Sequence, residues 1–122
     1  DFKSMCEALV KVQREDGSWN CSLADPDDFG GPEATGTSLF TYGLAWGVRT
    51  GMLDGATYRP AAARAWNALN RICIHDNGFI GFSQGSGKEP KEAQPATYDR
   101  IPDFEDFGTG CYLLAASEIA KL

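Results

Sequence analysis

Two stretches of the chain set acids and hydroxyls in front of apolar, helix-forming segments. Glu33, Thr35 and Thr37 open PEATGTSLFTYGLAWGVRTG (32–51), and Asp103, Glu105, Asp106 and Thr109 open DFGTGCYLLAASEIAKL (106–122). The first N–H groups of a helix have no partner within it and form its positive end, so side chains there either cap the helix or share those donors with a ligand. Capping alone is a sufficient reason for these residue types, and both roles can coexist at one position. Trp19, just after Asp16-Gly17, is the aromatic placed to stack on a flat ligand or to pack back on its own helix. Asp25, Asp27 and Asp28 read as a solvated acidic loop, and His75 as a surface or capping residue at a helix end. No residue is assigned a catalytic or metal-binding role.

The elements that must position these groups follow from apolar spacing. Residues 1–13 place Phe2, Met5, Cys6, Leu9 and Val12 on one face of a helix, and Asp16-Gly17 ends it. A second helix runs from about Thr35 to Thr50. Gly36, Gly43 and Gly47 leave it a bare side suited to close approach by another helix or a ligand. A third runs from about Tyr58 to Cys73 with Pro60 in its first turn, and a fourth from about Gly108 to Leu122. Phe79–Phe82 is expected to form a short extended piece. The second and fourth helices are apolar nearly all round, so both are expected to be buried on every side; the first and third carry polar faces.

That alternation repeats. An outer helix, an Asp-Gly or Asn-Gly turn with an aromatic behind it (Trp19, Phe79), a long connector and a Gly-Thr start (Gly36-Thr37, Gly108-Thr109) occur twice. Repeated helical hairpins make a solenoid or a closed ring, here with every long connector on the face where inner helices begin. Loops on a rigid scaffold are where sites usually lie.

Composition narrows the class. The 122 residues are 43% hydrophobic and 23% charged with a net charge of −6, the balance of a globular domain. The acidic excess argues against nucleic acid, and no apolar run is long enough to span a membrane. Cys6, Cys21, Cys73 and Cys111 form no CxxC pair and read as free thiols, so cysteine usage assigns no compartment. A chain opening on Asp1 is expected to be a piece of a longer protein.

QREDGSWNCSLADPDDFGGPEATGTSLFTYGLAWGVRTGMLD, then Tyr58, Pro60, Ala65-Trp66-Asn67-Ala68-Leu69, Gly81-Phe82-Ser83-Gln84 and the final DFGTGCYLLAASEIAKL, closely resemble the C-terminal third of the unsaturated rhamnogalacturonyl hydrolases, glycoside hydrolase family 105. Unsaturated glucuronyl hydrolases are more distant. The resemblance covers essentially the whole chain. It implies an all-α fold in which helical hairpins form part of an (α/α)6 barrel, with residues 1–122 as the C-terminal portion of one catalytic domain. It also implies an oligosaccharide substrate left by pectin lyases, with a 4,5-unsaturated uronic acid at the non-reducing end. In the family an Asp protonates the double bond and activates water, and the hydrated product opens and releases its neighbour without metal or organic cofactor.

The family's Asp, His and Trp–Arg cluster lie upstream of the QREDGSW region, so none maps here. The helix starts and the turn aromatic themselves offer the substrate-binding candidates Trp19, Glu33, Thr35, Thr37, Asp106 and Thr109, where hydroxyls and acids can hold sugar hydroxyls and helix-start N–H groups can face the uronate carboxylate. The chain's open flanks then call for the remainder of the barrel or for self-association. Gln13–Trp19 also satisfies QxxxGxW, a motif of triterpene cyclases that ties helix ends to loops. A cyclase would repeat it and add an acid-rich catalytic segment. The remaining alternative is a non-catalytic helical module that binds sugar or a partner.

Overall fold

The computed structural model describes residues 1–28, 30–85 and 106–122, with the backbone alone at Asp106. Its helices are α1 (Phe2–Lys11), α2 (Ala34–Arg49), α3 (Gly55–Ala68) and α4 (Asp106–Ile119). The second connector, with Asp103 and Glu105, lies outside the described residues. Asp1 caps α1 by accepting from Ser4 N–H, and the chain leaves α1 through Gly17 at φ +95°. The third helix begins earlier than its proline suggested. Asp54 accepts from Thr57 N–H, so nucleation occurs before Pro60, which falls in the second turn and forgoes one backbone bond.

Past Ala68 the helix widens into a π-turn over Leu69–Cys73, closed by Ile74 N–H on Leu69 O at 3.2 Å. The expected extended piece is reduced to one antiparallel bridge, Ile74 with Ile80.

Helix α2 is the centre of the packing, lying along both α3 and α4. Alanines do much of this: Ala61, Ala62 and Ala65 bring α3 against Leu44 and Val48 of α2, with Cys6, Leu9 and Trp19 in the same cluster. At Gly47 an added Cβ would stand 2.5 Å from Leu53 Cδ1 and 3.0 Å from Phe2 Cε1, so side chains, not a ligand, occupy that bare side. A second cluster joins Ala34, Leu69, Cys73, Ile80 and Ala115.

Two expectations about burial are corrected. Neither inner helix is enclosed all round: Leu113 (59% exposed), Leu114 and Phe107 of α4 and Leu39 of α2 face outward. On α1, Cys6 and Leu9 are buried while Met5 (55%) and Val12 are exposed. Each apolar stripe is wider than the neighbour that covers it.

Candidate functional site at the start of the inner helices

The two inner helices begin side by side. Gly108, in the first turn of α4, is buried, and a Cβ there would lie 2.6 Å from Ser83 Oγ and 3.9 Å from Thr35 Cγ2. A Cβ at this position would require the Ser83 hydroxyl to turn away. Residues 81–84 are wedged beside the helix starts, and three bonds hold them. Ala34 N–H donates to Phe82 O at 2.8 Å, Gln84 N–H to Glu33 Oε1 at 3.1 Å, and Gly81 N–H to Cys73 O at 2.7 Å. Phe82 adopts φ +56°, a left-handed conformation that costs a non-glycine residue roughly 1–2 kcal/mol. That turn seats Ser83 inward, 4% exposed, with no hydrogen-bond partner for its hydroxyl among the described residues.

Glu33 organises this corner. Its carboxylate caps α2, taking Thr35 N–H at 3.0 Å and Gly36 N–H at 2.6 Å, and it also accepts from the Thr35 hydroxyl at 2.7 Å. Thr37 N–H donates to Glu33 O at 3.2 Å. With Ala34 on Phe82, all four first-turn amides of α2 are committed. The start of α2 therefore has no backbone donor left for a uronate carboxylate, and an anionic cap stands there instead. That part of the expectation is corrected; if amides receive an anion at this mouth, they are those of α4.

The other expected residues divide sharply. Trp19 is 1% exposed, its Nε1–H donates to Leu9 O at 2.9 Å, and its ring meets Phe40 edge-on at 5.3 Å. Its ring faces are covered by protein, so the structure corrects the stacking role: Trp19 is a fastener. Thr37, 0% exposed, spends its Oγ1 accepting from Trp19 N–H at 3.0 Å, which removes it from ligand contact too. Thr35 is half-buried at the mouth and Thr109 exposed, while Asp106 opens α4.

Phe82, Ser83, Gln84 and Gly108 join the candidate site; the sequence marks them through the family resemblance and the repeated Gly-Thr start but gives them no site role. The Gly-Phe-Ser-Gln step has no turn chemistry of its own.

Beside Trp19 a second network closes the α1 end. Gln13 Nε2 donates to Gly17 O and Ala61 O at 2.8 and 3.0 Å, and Arg64 donates to Gln13 Oε1 at 2.6 Å. Burial opposes ionisation of Asp16, but bonds from the Ser18 hydroxyl and amide and the Arg14 charge outweigh it and hold the carboxyl below its ordinary value. An open depression of about 790 Å³ lies here, lined by Gln13, Arg14, Asn20 and Leu23 among others. No residue from the inner-helix corner lines it.

Other chemistry is limited. Burial pushes the Cys73 thiol up to about 12, with the charges of Glu33 and Asp16 adding to the effect, which suits packing rather than nucleophilic attack. Among the described residues no three His, Cys, Asp or Glu side chains are grouped to hold a metal ion. His75 is buried rather than at the surface; its backbone N–H donates to Phe79 O at 2.9 Å and its ring lies 6.3 Å from that of Phe82.

Outer and inner helices in alternation, with a polar corner where inner helices start, define part of an (α/α)6 barrel of the carbohydrate-active kind. The chain belongs to Glycosyl Hydrolase Family 88, whose model matches residues 1–122. It is 40% identical over 121 residues to an unsaturated 3S-rhamnoglycuronyl hydrolase of Formosa agariphila, covering 99% of this chain and 30% of that protein. A protein of the same description from Alteromonas sp. is 37% identical, with 97% and 27% covered. A solved family 88 glycosyl hydrolase from Bacteroides vulgatus superimposes with a TM-score of 0.87 at 37% identity, over 98% of this chain and 34% of that one. The chain thus spans about 30% of the length of the curated relatives it matches.

Proposed function

We propose that this chain is the C-terminal third of an unsaturated rhamnoglycuronyl hydrolase and forms one wall of its substrate mouth. The observation that carries the reading is the convergence of Thr35, Ser83 and Gly108 between two inner-helix starts, in a chain that matches the family along its whole length. The substrate class is an oligosaccharide, such as those from rhamnogalacturonan, whose non-reducing end is a 4,5-unsaturated uronic acid linked to rhamnose. Hydration adds a proton at C4 and hydroxide at C5; the resulting hemiketal opens, and the hemiacetal left at C1 expels the neighbouring sugar. The proton donor lies outside these residues. This wall binds and orients, with Thr35 and Thr109 toward the sugar and the α4 start toward its anionic groups.

Elimination destroys the C4 stereocentre that distinguishes galacturonate from glucuronate. One unsaturated residue therefore serves both, and discrimination falls to contacts with the next sugar.

The exposed flanks at Met5 and Leu39 and at Leu113 and Leu114 are surfaces for the remaining helices of the ring. The 122-residue chain alone should leave the ultraviolet absorbance of the unsaturated disaccharide unchanged and should self-associate in sedimentation at micromolar concentration. The same segment within its full-length enzyme should consume that absorbance. Turnover by the isolated chain as a compact monomer, or none by the full-length enzyme, would sink the reading.

A further inference from the structure

Hydrogen-bond polarity at the mouth carries the reading one step further. A hydroxyl has one proton to donate and two lone pairs with which to accept. Three backbone N–H groups, which can only donate, converge on the Glu33 carboxylate: those of Thr35, Gly36 and Gln84. The carboxylate is thereby the acceptor in its 2.7 Å contact with the Thr35 hydroxyl, and Thr35 is the donor. The proton of Thr35 is spent, leaving Oγ1 only lone pairs to offer. The surroundings agree, since every first-turn amide of α2 is committed and the charge beside Thr35 is negative.

We infer that Thr35 is a specificity-determining residue that accepts from an uncharged sugar hydroxyl, and that the α2 side of the mouth rejects an anionic substituent at that position. This rests on the proposed function and adds a direction to it. A hydroxyl presented there brings the missing donor. A sulfate ester, a carboxylate or a fluorine brings only acceptors, and the anions also meet the Glu33 charge.

The test uses the full-length hydrolase carrying this segment, an unsaturated uronyl–rhamnose disaccharide, and analogues in which each free hydroxyl in turn is replaced by fluorine or sulfate. At one position both replacements should raise KM about tenfold, the cost of one unpaired buried hydrogen-bonding group. Thr35→Val should raise KM for the parent sugar by about the same factor with kcat within about twofold, and should erase the fluorine discrimination at that position alone. Thr35→Ser, which keeps the hydroxyl, should restore both. A purely structural Thr35 would lower the melting temperature without touching KM, and that result overturns the assignment, as does a wild-type enzyme tolerating sulfate at every position. An enzyme that neither binds nor turns over these sugars overturns the assignment and the functional reading together; turnover with an indifferent Thr35→Val overturns the assignment alone.

Discussion

The two hairpins carry the same local text and put it to different uses. In the first, Asp16-Gly17 leads to a Trp19 that is wholly enclosed, and Gly36-Thr37 to a threonine whose hydroxyl is consumed by the Trp19 backbone. In the second, Asn77-Gly78 leads to Phe79, 52% exposed, and Gly108-Thr109 to an exposed threonine. Both turn glycines take positive φ, +95° and +85°, so the local conformation is alike. The neighbours differ. Helix α3 presses its Arg64 backbone against Gly17, whereas among the described residues nothing lies within 4 Å of the Cβ position of Gly78. A repeated motif specifies a backbone path; what packs on that path decides whether its polar groups are consumed as fasteners or left available.

The largest effect that can break this comparison is at the two turn glycines. Gly17→Ala adds a left-handed strain of roughly 1–2 kcal/mol and forces the new methyl into the Arg64 carbonyl, for a total of about 3 kcal/mol lost in denaturant unfolding. Gly78→Ala meets open space and should show the strain alone, about 1 kcal/mol. Equal losses would mean that α3 does not grip the first turn.

A smaller contrast sharpens the same point at the threonines. Thr37→Val leaves the buried Trp19 N–H without its acceptor and should cost about 2 kcal/mol, whereas Thr109→Val at an exposed position should stay within about 0.5 kcal/mol. Thermal melts of the two variants side by side give the answer. A costly Thr109→Val would show that the second threonine is also a fastener.

The smallest effect concerns the far end, where the hairpins are tied together. Glu118 of α4 accepts from Arg49 of α2 at 2.6 Å and from Lys121 at 2.9 Å, and those bonds hold its carboxyl below its ordinary value of 4.5. A depressed carboxylate contributes stability that is full above the unfolded-state value and lost as pH falls through the folded one. The denaturation midpoint should therefore drop below about pH 4.5, and Glu118→Gln should be less stable at neutral pH with a flatter acid slope. An unchanged slope would mean that the tie is too solvent-screened to couple the hairpins.

Much of the fold was legible because its causes are local. Apolar residues three and four apart mark α1 and Glu33 opens α2, each signal acting within a few residues of where it is written, whereas the Asp54 cap of α3 was hidden behind the stronger signal of Pro60 and its π-turn end had no local signal. The order of those signals along the whole chain also carried the family resemblance. The site was only half legible. Local rules placed Glu33, Thr35 and Thr109 at helix starts, but Phe82 O and Gln84 N–H reach the α2 start from about fifty positions away, and Ser83 meets Gly108 across two elements. No local rule assigns those bonds. Whether a threonine keeps a free lone pair, or a tryptophan a free face, depends on burial and on which donors arrive from elsewhere. The chain wrote the same Gly-Thr twice, and only the packing of α3 and residues 82–84 around α2 made one threonine a buried fastener and left the other open.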